Sequence, residues 1–222
     1  GISCQKAMKF IQNFILKKKF LPFIFLSPAI LWLLFHPKGL LVEIAGFPQY
    51  AKTNVSSLFA PEKLMAIEDM RWNAFGPKKE ELPASLIYNK GFVLVDNFFS
   101  YLSFFSPRYY FQAGDGTNFS PPAVDPIAGL LFLPWVFGVV YFLARNNFKI
   151  FWVLTAFGLI AFLPGKRNLA FLSPILLIYL FLAYKGIEEK LPQKVKRSFL
   201  IGYFVYGLFL LGRMLWFTWT KS

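Results

Sequence analysis

Four apolar runs follow one another in the second half of the chain, at residues 126–143, 148–163, 169–184 and 199–219, with only short polar breaks between them. Each approaches the roughly 20 residues a helix needs to cross a bilayer. An earlier run, residues 20–36, adds a fifth. Apolar segments that cross lipid do so as helices, because a helix satisfies its backbone polar groups within the segment. The composition agrees. Only 16% of residues are charged, against about 25% in an ordinary soluble domain. The expected fold is an all-α polytopic membrane protein with about five transmembrane helices.

The net charge of +13 raises nucleic-acid binding as a class, and its distribution excludes it. Half of the 24 Lys and Arg lie in the amino-terminal tail and two short connections: Lys6, Lys9 and Lys17 to Lys19, then Arg145 and Lys149, then Lys185, Lys190, Lys194, Lys196 and Arg197. Nine of the 11 acids lie between Glu43 and Asp125. Basic short loops mark the cytoplasmic side of membrane proteins. Residues 1–19 read as a basic cytoplasmic lead-in, residues 20–36 as the first transmembrane helix, 37–125 as an external segment and 126–219 as a four-helix transmembrane bundle. One cysteine, Cys4, leaves no disulfide framework and no multi-cysteine metal site. No metal or cofactor is called for.

Within the external segment, residues 92–105 are nearly all apolar or aromatic, yet too short to span. Asp96, Ser100 and Ser103 recur at i, i+4 and i+7, a single polar stripe on a helix, while Phe98, Phe99 and Leu102 lie elsewhere around it. Such a helix suits the membrane interface. Parity supports this placement. Were residues 92–105 to cross, the basic connections at 145–149 and 185–197 would face outward while Lys17 to Lys19 stayed inside. Residues 37–91 show no clean period; Ala60-Pro61-Glu62-Lys63 can start a helix running through Trp72, with Pro in its first turn. Asp125-Pro126 reads as an N-cap followed by Pro at the first helical position.

The runs at 148–163 and 169–184 are about 16 residues each, roughly 24 Å at 1.5 Å per residue, shorter than a ~30 Å hydrocarbon layer. Their connecting turn, residues 164–168, is therefore expected near the depth of lipid phosphates. Lys166 and Arg167 within it have two open roles: anchors that snorkel to the interface, or a phosphate site in which Arg is a bidentate fork and Lys a point charge. Arg108 carries the same alternative. Glu68, Asp69, Arg71 and Asp115 make up a second polar set in the external segment. A carboxylate would have to serve as any general base, since the chain has a single histidine, His36. No Gly-rich phosphate loop, HExxH motif or nucleophile elbow is present.

The run from Tyr101 through Ser106-Pro107-Arg108-Tyr109-Tyr110 to Gly114-Asp115-Gly116, followed by a Pro-rich approach to a span, resembles prokaryotic GT-C type membrane glycosyltransferases, the protein mannosyltransferases and aminoarabinose transferases among them. Ile67 to Arg71, Tyr88-Asn89-Lys90 and Arg167-Asn168-Leu169 through Ser173-Pro174 resemble further stations of that family, in the same order. The resemblance covers roughly residues 48–184. It implies transfer of a sugar from a polyprenyl-phosphate carrier to an acceptor on the outer face of a prokaryotic plasma membrane. Lys166, Arg167 and Arg108 would then hold the carrier phosphate. The family's acidic catalytic loop is not found here, so the chain resembles the carboxy-terminal part of such an enzyme. Its partners would be the bilayer, the donor lipid, and a missing amino-terminal half or another membrane subunit. Two other readings stay open: a non-catalytic assembly subunit and, with less to recommend it, a transporter.

Overall fold

The computed structural model describes residues 20–57, 60–112 and 116–221. The basic lead-in, Cys4, Gly114 and Asp115 lie outside them. Every regular element among the described residues is helical. The long helices are α9 (Phe132–Ala144), α10 (Lys149–Phe162), α11 (Leu169–Lys190) and α12 (Gln193–Lys221). Two, α11 and α12, are each long and apolar enough to cross a membrane. The number rises to four if each of two bent pairs counts as one span. The chain is a helical membrane protein on this ground; five separate spans are not resolved.

α11 is the axis. Its side chains from Leu169 to Leu172 and from Ile178 to Tyr184 are all buried. α9 packs along it more extensively than any other pair of elements, and two glycines explain how. A Cβ on Gly138 would overlap the Leu182 carbonyl, and one on Gly186 would overlap the Pro134 carbonyl. The two backbones touch, which is how helices associate in lipid, where van der Waals packing replaces the hydrophobic effect. Pro174 lies inside α11 and cannot donate to the Ala170 carbonyl one turn back. The Ser173 hydroxyl donates to that carbonyl instead, at 3.0 Å, so the helix continues.

The first apolar run is not one helix. It divides into α1 (Leu21–Phe25) and α2 (Pro28–Phe35), with Pro28 opening the second. At His36 the chain bends by 86° into α3 (Pro37–Ala45). α1 meets one end of α11, where the Phe23 ring lies 5.6 Å from that of Tyr184. α3 meets the other end through Glu43 and Asn168. Residues 20–45 therefore join the two ends of α11 in three pieces.

The stretch without a clean period is helical almost throughout, as α3, α4 (Phe47–Ser56), α5 (Pro61–Phe75) and α6 (Leu82–Ile87), with a 3-10 turn at Gly76–Lys78. Each of the four helices has Pro in its first turn, where the missing N–H costs nothing. Most of these helices are short, so no period can build up. α7 (Lys90–Ser103) and α8 (Pro107–Phe111) follow. Asn89 caps α7 by accepting from the Gly91 N–H at 2.7 Å.

Asp125-Pro126 does not start a helix. The Pro126 carbonyl accepts from the Ser27 hydroxyl and the Ala29 N–H, both at 3.1 Å, and the Ile127 N–H donates to the Tyr110 carbonyl at 2.8 Å. These bonds tie the crossing segment to α2 and α8. Helix begins only at Gly129, as a 3-10 turn that runs into α9.

Candidate functional site

The tip between α10 and α11 sits between two outer layers, α3–α4 on one side and α7–α8 on the other. Gly165 turns the chain with φ +66°, a backbone angle that glycine adopts freely. The Asn54 side chain donates to the Leu163 carbonyl at 3.0 Å, fastening α4 to the tip. Asn168 does two jobs. Its Oδ1 accepts from the Phe171 N–H at 3.1 Å and caps α11, while its Nδ2 donates to Glu43 Oε1 at 2.8 Å. Lys166 lies 3.7 Å from the same Glu43 oxygen and 3.3 Å from the centre of the Tyr50 ring, a cation–π contact.

Arg167 points the other way. One guanidinium nitrogen donates to the Tyr109 hydroxyl at 2.5 Å and another to the Ser103 hydroxyl. The Phe104 and Tyr109 rings lie 5.4 and 5.3 Å from its central carbon. Among the described residues no carboxylate is within ion-pair distance of it. Hydroxyl partners fix the direction of the fork without cancelling its charge, and three of the five N–H donors are left over. The group is half-buried, so its field is less screened than at a free surface.

α7 brings Ser103 here because its faces are sorted. Val93, Tyr101 and Phe104 turn inward, Leu94, Phe98, Phe99 and Leu102 are exposed, and the Asp96–Ser100–Ser103 stripe runs between. Tyr101 donates to the Thr155 carbonyl at 3.2 Å, and burial raises its hydroxyl pKa. The Phe105 ring fills the space beside Gly158, and Tyr179 of α11 donates to the Phe105 carbonyl at 2.5 Å. The aromatic helix and the basic tip therefore lie at the same end of the molecule, held by direct bonds.

The other described residues singled out in the sequence do not converge on this point. Arg108 is exposed and lines a separate cleft of about 410 Å³ with Gln112 and Phe132. Glu68 and Arg71 belong to a bracket that closes the turn after α5. Lys79 donates to Glu68 at 2.6 Å, and Arg71 reaches the Lys79 carbonyl at 2.6 Å and Glu80 at 3.4 Å. The Lys79 bond holds the Glu68 carboxyl below its ordinary range, and Glu68 raises Lys79 in return. Asp69 is exposed, and Asp115 lies outside the described residues.

Glu43, Tyr50, Ser103, Tyr109 and Asn168 join the site without having been singled out for it. Asn168 carries a readable signal, a capping residue just before an apolar run. Glu43 also lines an open cavity of about 810 Å³ with His36, Lys38, Asn118 and Phe119. The His36 Nδ1 lies 2.9 Å from the Trp32 carbonyl. A carbonyl only accepts, so Nδ1 carries the proton and, in the neutral ring, Nε2 is the acceptor. Among the described residues no group of three His, Cys, Asp or Glu is placed to hold a metal ion. Comparison with family models, curated proteins and solved structures finds no match to this chain.

Proposed function

We propose that the protein is part of an integral-membrane glycosyltransferase of a prokaryotic plasma membrane, moving a sugar from a polyprenyl-phosphate carrier to an acceptor on the outer face. In this reading the amino terminus is cytoplasmic, five membrane passes are made, and α7 rests on the outer leaflet. The observation that carries the proposal is the Arg167 guanidinium, aimed by two hydroxyls and left without a carboxylate among the described residues. A phosphate diester or monoester is the complementary ligand, since a fork of N–H donors matches its oxygens. Lys166, beside it in the chain, is turned toward Glu43 and paired with it.

Transfer requires an acceptor hydroxyl to attack the anomeric carbon while the bond from that carbon to the phosphate oxygen breaks. The polyprenyl phosphate leaves with the electron pair, and the acceptor proton passes to a base. Arg167 would stabilise the charge that grows on the leaving phosphate, while Lys166, on the other side of the tip, stays with Glu43. Glu43, which touches Lys166 and also lines the cavity, is the carboxylate best situated to accept the proton.

Arg167→Glu tests this reading. Binding of a polyprenyl-phosphate sugar to the full chain is expected to weaken by about tenfold or more, because a charge-assisted hydrogen bond contributes about 1.5–3 kcal/mol. Normal expression with unchanged donor binding would refute it. The second reading, a non-catalytic assembly subunit, draws on the apolar stretch of α12, of which only 22% is buried, leaving an outward apolar face. That face needs lipid or another chain. A subunit would show neither donor binding nor sensitivity to Arg167.

A further inference from the structure

The end of α11 opposite the Lys166–Arg167 tip holds a feature the transfer reading does not use. Between α1, the last turn of α11 and the start of α12 lies a slot of about 470 Å³. Phe23, Leu26, Ile187, Leu200, Tyr203 and Phe204 give it apolar walls, and Glu188, Gln193 and Lys196 are its polar lining. Its size falls in the ordinary range for a small-ligand site, about 300–1,000 Å³. It is built on rigid parts. The Phe23 and Tyr203 rings stack at 5.1 Å, and the Lys196 ammonium is fixed at 2.9 Å on the Glu188 carbonyl.

The connection that borders the slot is one-sided in charge. Residues 185–197 contain Lys185, Lys190, Lys194, Lys196 and Arg197 against Glu188 and Glu189. Lys185 takes up both acids, contacting Glu188 directly and Glu189 at 3.4 Å. Lys190, Lys194 and Arg197 are exposed, and none has an ion pair or side-chain hydrogen bond among the described residues. An apolar slot with an uncompensated cationic rim, at the end of a membrane-length helix, has the two-part chemistry of a phospholipid with a negative headgroup. Basic pockets between helices recognise anionic lipids in this way.

We propose that this slot binds an anionic phospholipid, one acyl chain lying between Phe23 and Phe204 and the phosphate resting on Lys196, Lys194 and Arg197. A neutral zwitterionic lipid fills the slot equally well but leaves the rim uncompensated. The chain's own residues 1–19 have the wrong sign, with five lysines and no acid. A second copy of the chain would present the same basic rim. The site is independent of the sugar-transfer reading and survives its failure.

The test is native mass spectrometry of the full chain released from nanodiscs of equimolar phosphatidylglycerol and phosphatidylcholine. The protein is expected to retain phosphatidylglycerol in preference. Each cation near an anionic lipid contributes about fivefold, so Lys194→Glu with Arg197→Glu is expected to reduce the preference by about twentyfold or more. Both positions are exposed, and folding is not at stake. Leu200→Trp fills the slot and is expected to lower retention of either lipid while leaving the rim intact. Arg167→Gln, at the far end of α11, is expected to remove only phosphatidylglycerol held at the tip and to leave in place the share that the rim substitutions abolish, which separates this site from the carrier site. Three results would overturn the proposal: equal retention of the two lipids, a preference that survives both rim substitutions, or release of phosphatidylglycerol by inorganic phosphate alone. The last would mean that only charge is read. Occupation by residues 1–19 or by a second copy would give the first result.

Discussion

α11 and α12 are both long enough and apolar enough to cross a bilayer, yet 78% of the apolar stretch of α11 is buried against the protein and only 22% of that of α12. Composition does not separate an axis from a perimeter. The difference lies in what neighbours can approach. α11 is reached by backbone at Gly138 and Gly186, by the Tyr110 ring at 4.5 Å from Tyr179, and by the bond from its capping residue Asn168 to Glu43. On α12, a Cβ added at Gly202 or Gly212 would meet nothing within 4 Å, and Leu208, Phe209 and Trp216 are exposed. In lipid an exposed apolar face is no defect, because the solvent is equally apolar.

Glycine substitution gives the widest contrast. Gly138→Leu drives a side chain into the Leu182 backbone, and the expected loss is at least about 3 kcal/mol, the upper end for overpacking. Gly202→Leu meets open space and is expected to be neutral or to gain up to about 1 kcal/mol from helix propensity. Denaturant titration in mixed micelles reads both. Comparable losses would mean that α12 is covered in the working protein, which would turn the contrast into a matter of assembly.

Truncation comes next. Leu180→Ala, at a fully buried site, is expected to cost about 2 kcal/mol, the low end for a buried leucine, since lipid rather than water is the alternative. Leu208→Ala, exposed on α12, is expected to fall within about 0.5 kcal/mol. Asn168→Ala removes the cap of α11 and the bond to Glu43, for an expected loss of about 1 kcal/mol. It is also expected to loosen the tip, read as faster hydrogen exchange at the amides of residues 169–172.

Acid provides the smallest effect and the finest distinction. The buried stretch of α11 holds no carboxylate, so its exchange protection is expected to be flat between about pH 3 and 6. The α5 bracket is expected to respond. The folded-state pKa of Glu68 lies below its ordinary 4.5, held there chiefly by Lys79. Its stabilising contribution is therefore complete above pH 4.5 and lost as pH falls through the lowered value. Glu68→Gln is expected to abolish that response at the amides of residues 61–79. A bracket insensitive to acid in the parent chain would show that the ion pairs contribute nothing there.

Much of the helical plan is legible in the chain alone. The apolar pattern places α7 at 92–105, and it spans Lys90–Ser103; the same pattern places α11 at 169–184, and it continues to Lys190. Its extra turn comes from Lys185, which braces the helix through Glu188 and Glu189, three and four residues on. The prolines of the outer segment are legible as breaks but not as starts, because helices of six to ten residues leave no periodic trace. The break at Leu26-Ser27 is hidden for another reason: the bond that sets it, from Ser27 to Pro126, joins residues 99 positions apart. The site divides in the same way. Its cations are visible as a local cluster. The groups that aim them are not, because Ser103 and Glu43 reach the tip only through the packing of α3 and α7.

α11 is held between two sets of positive charge, and this restricts how it can move. Its 22 residues place Lys166 and Arg167 about 33 Å from the cations that follow Lys185, close to the thickness of the hydrocarbon layer. A shift of one helical turn, about 5.4 Å along the membrane normal, would drag one set into oil. Piston-like travel is closed to this helix, and any working motion must be a tilt or a roll about a pivot pinned at both leaflets.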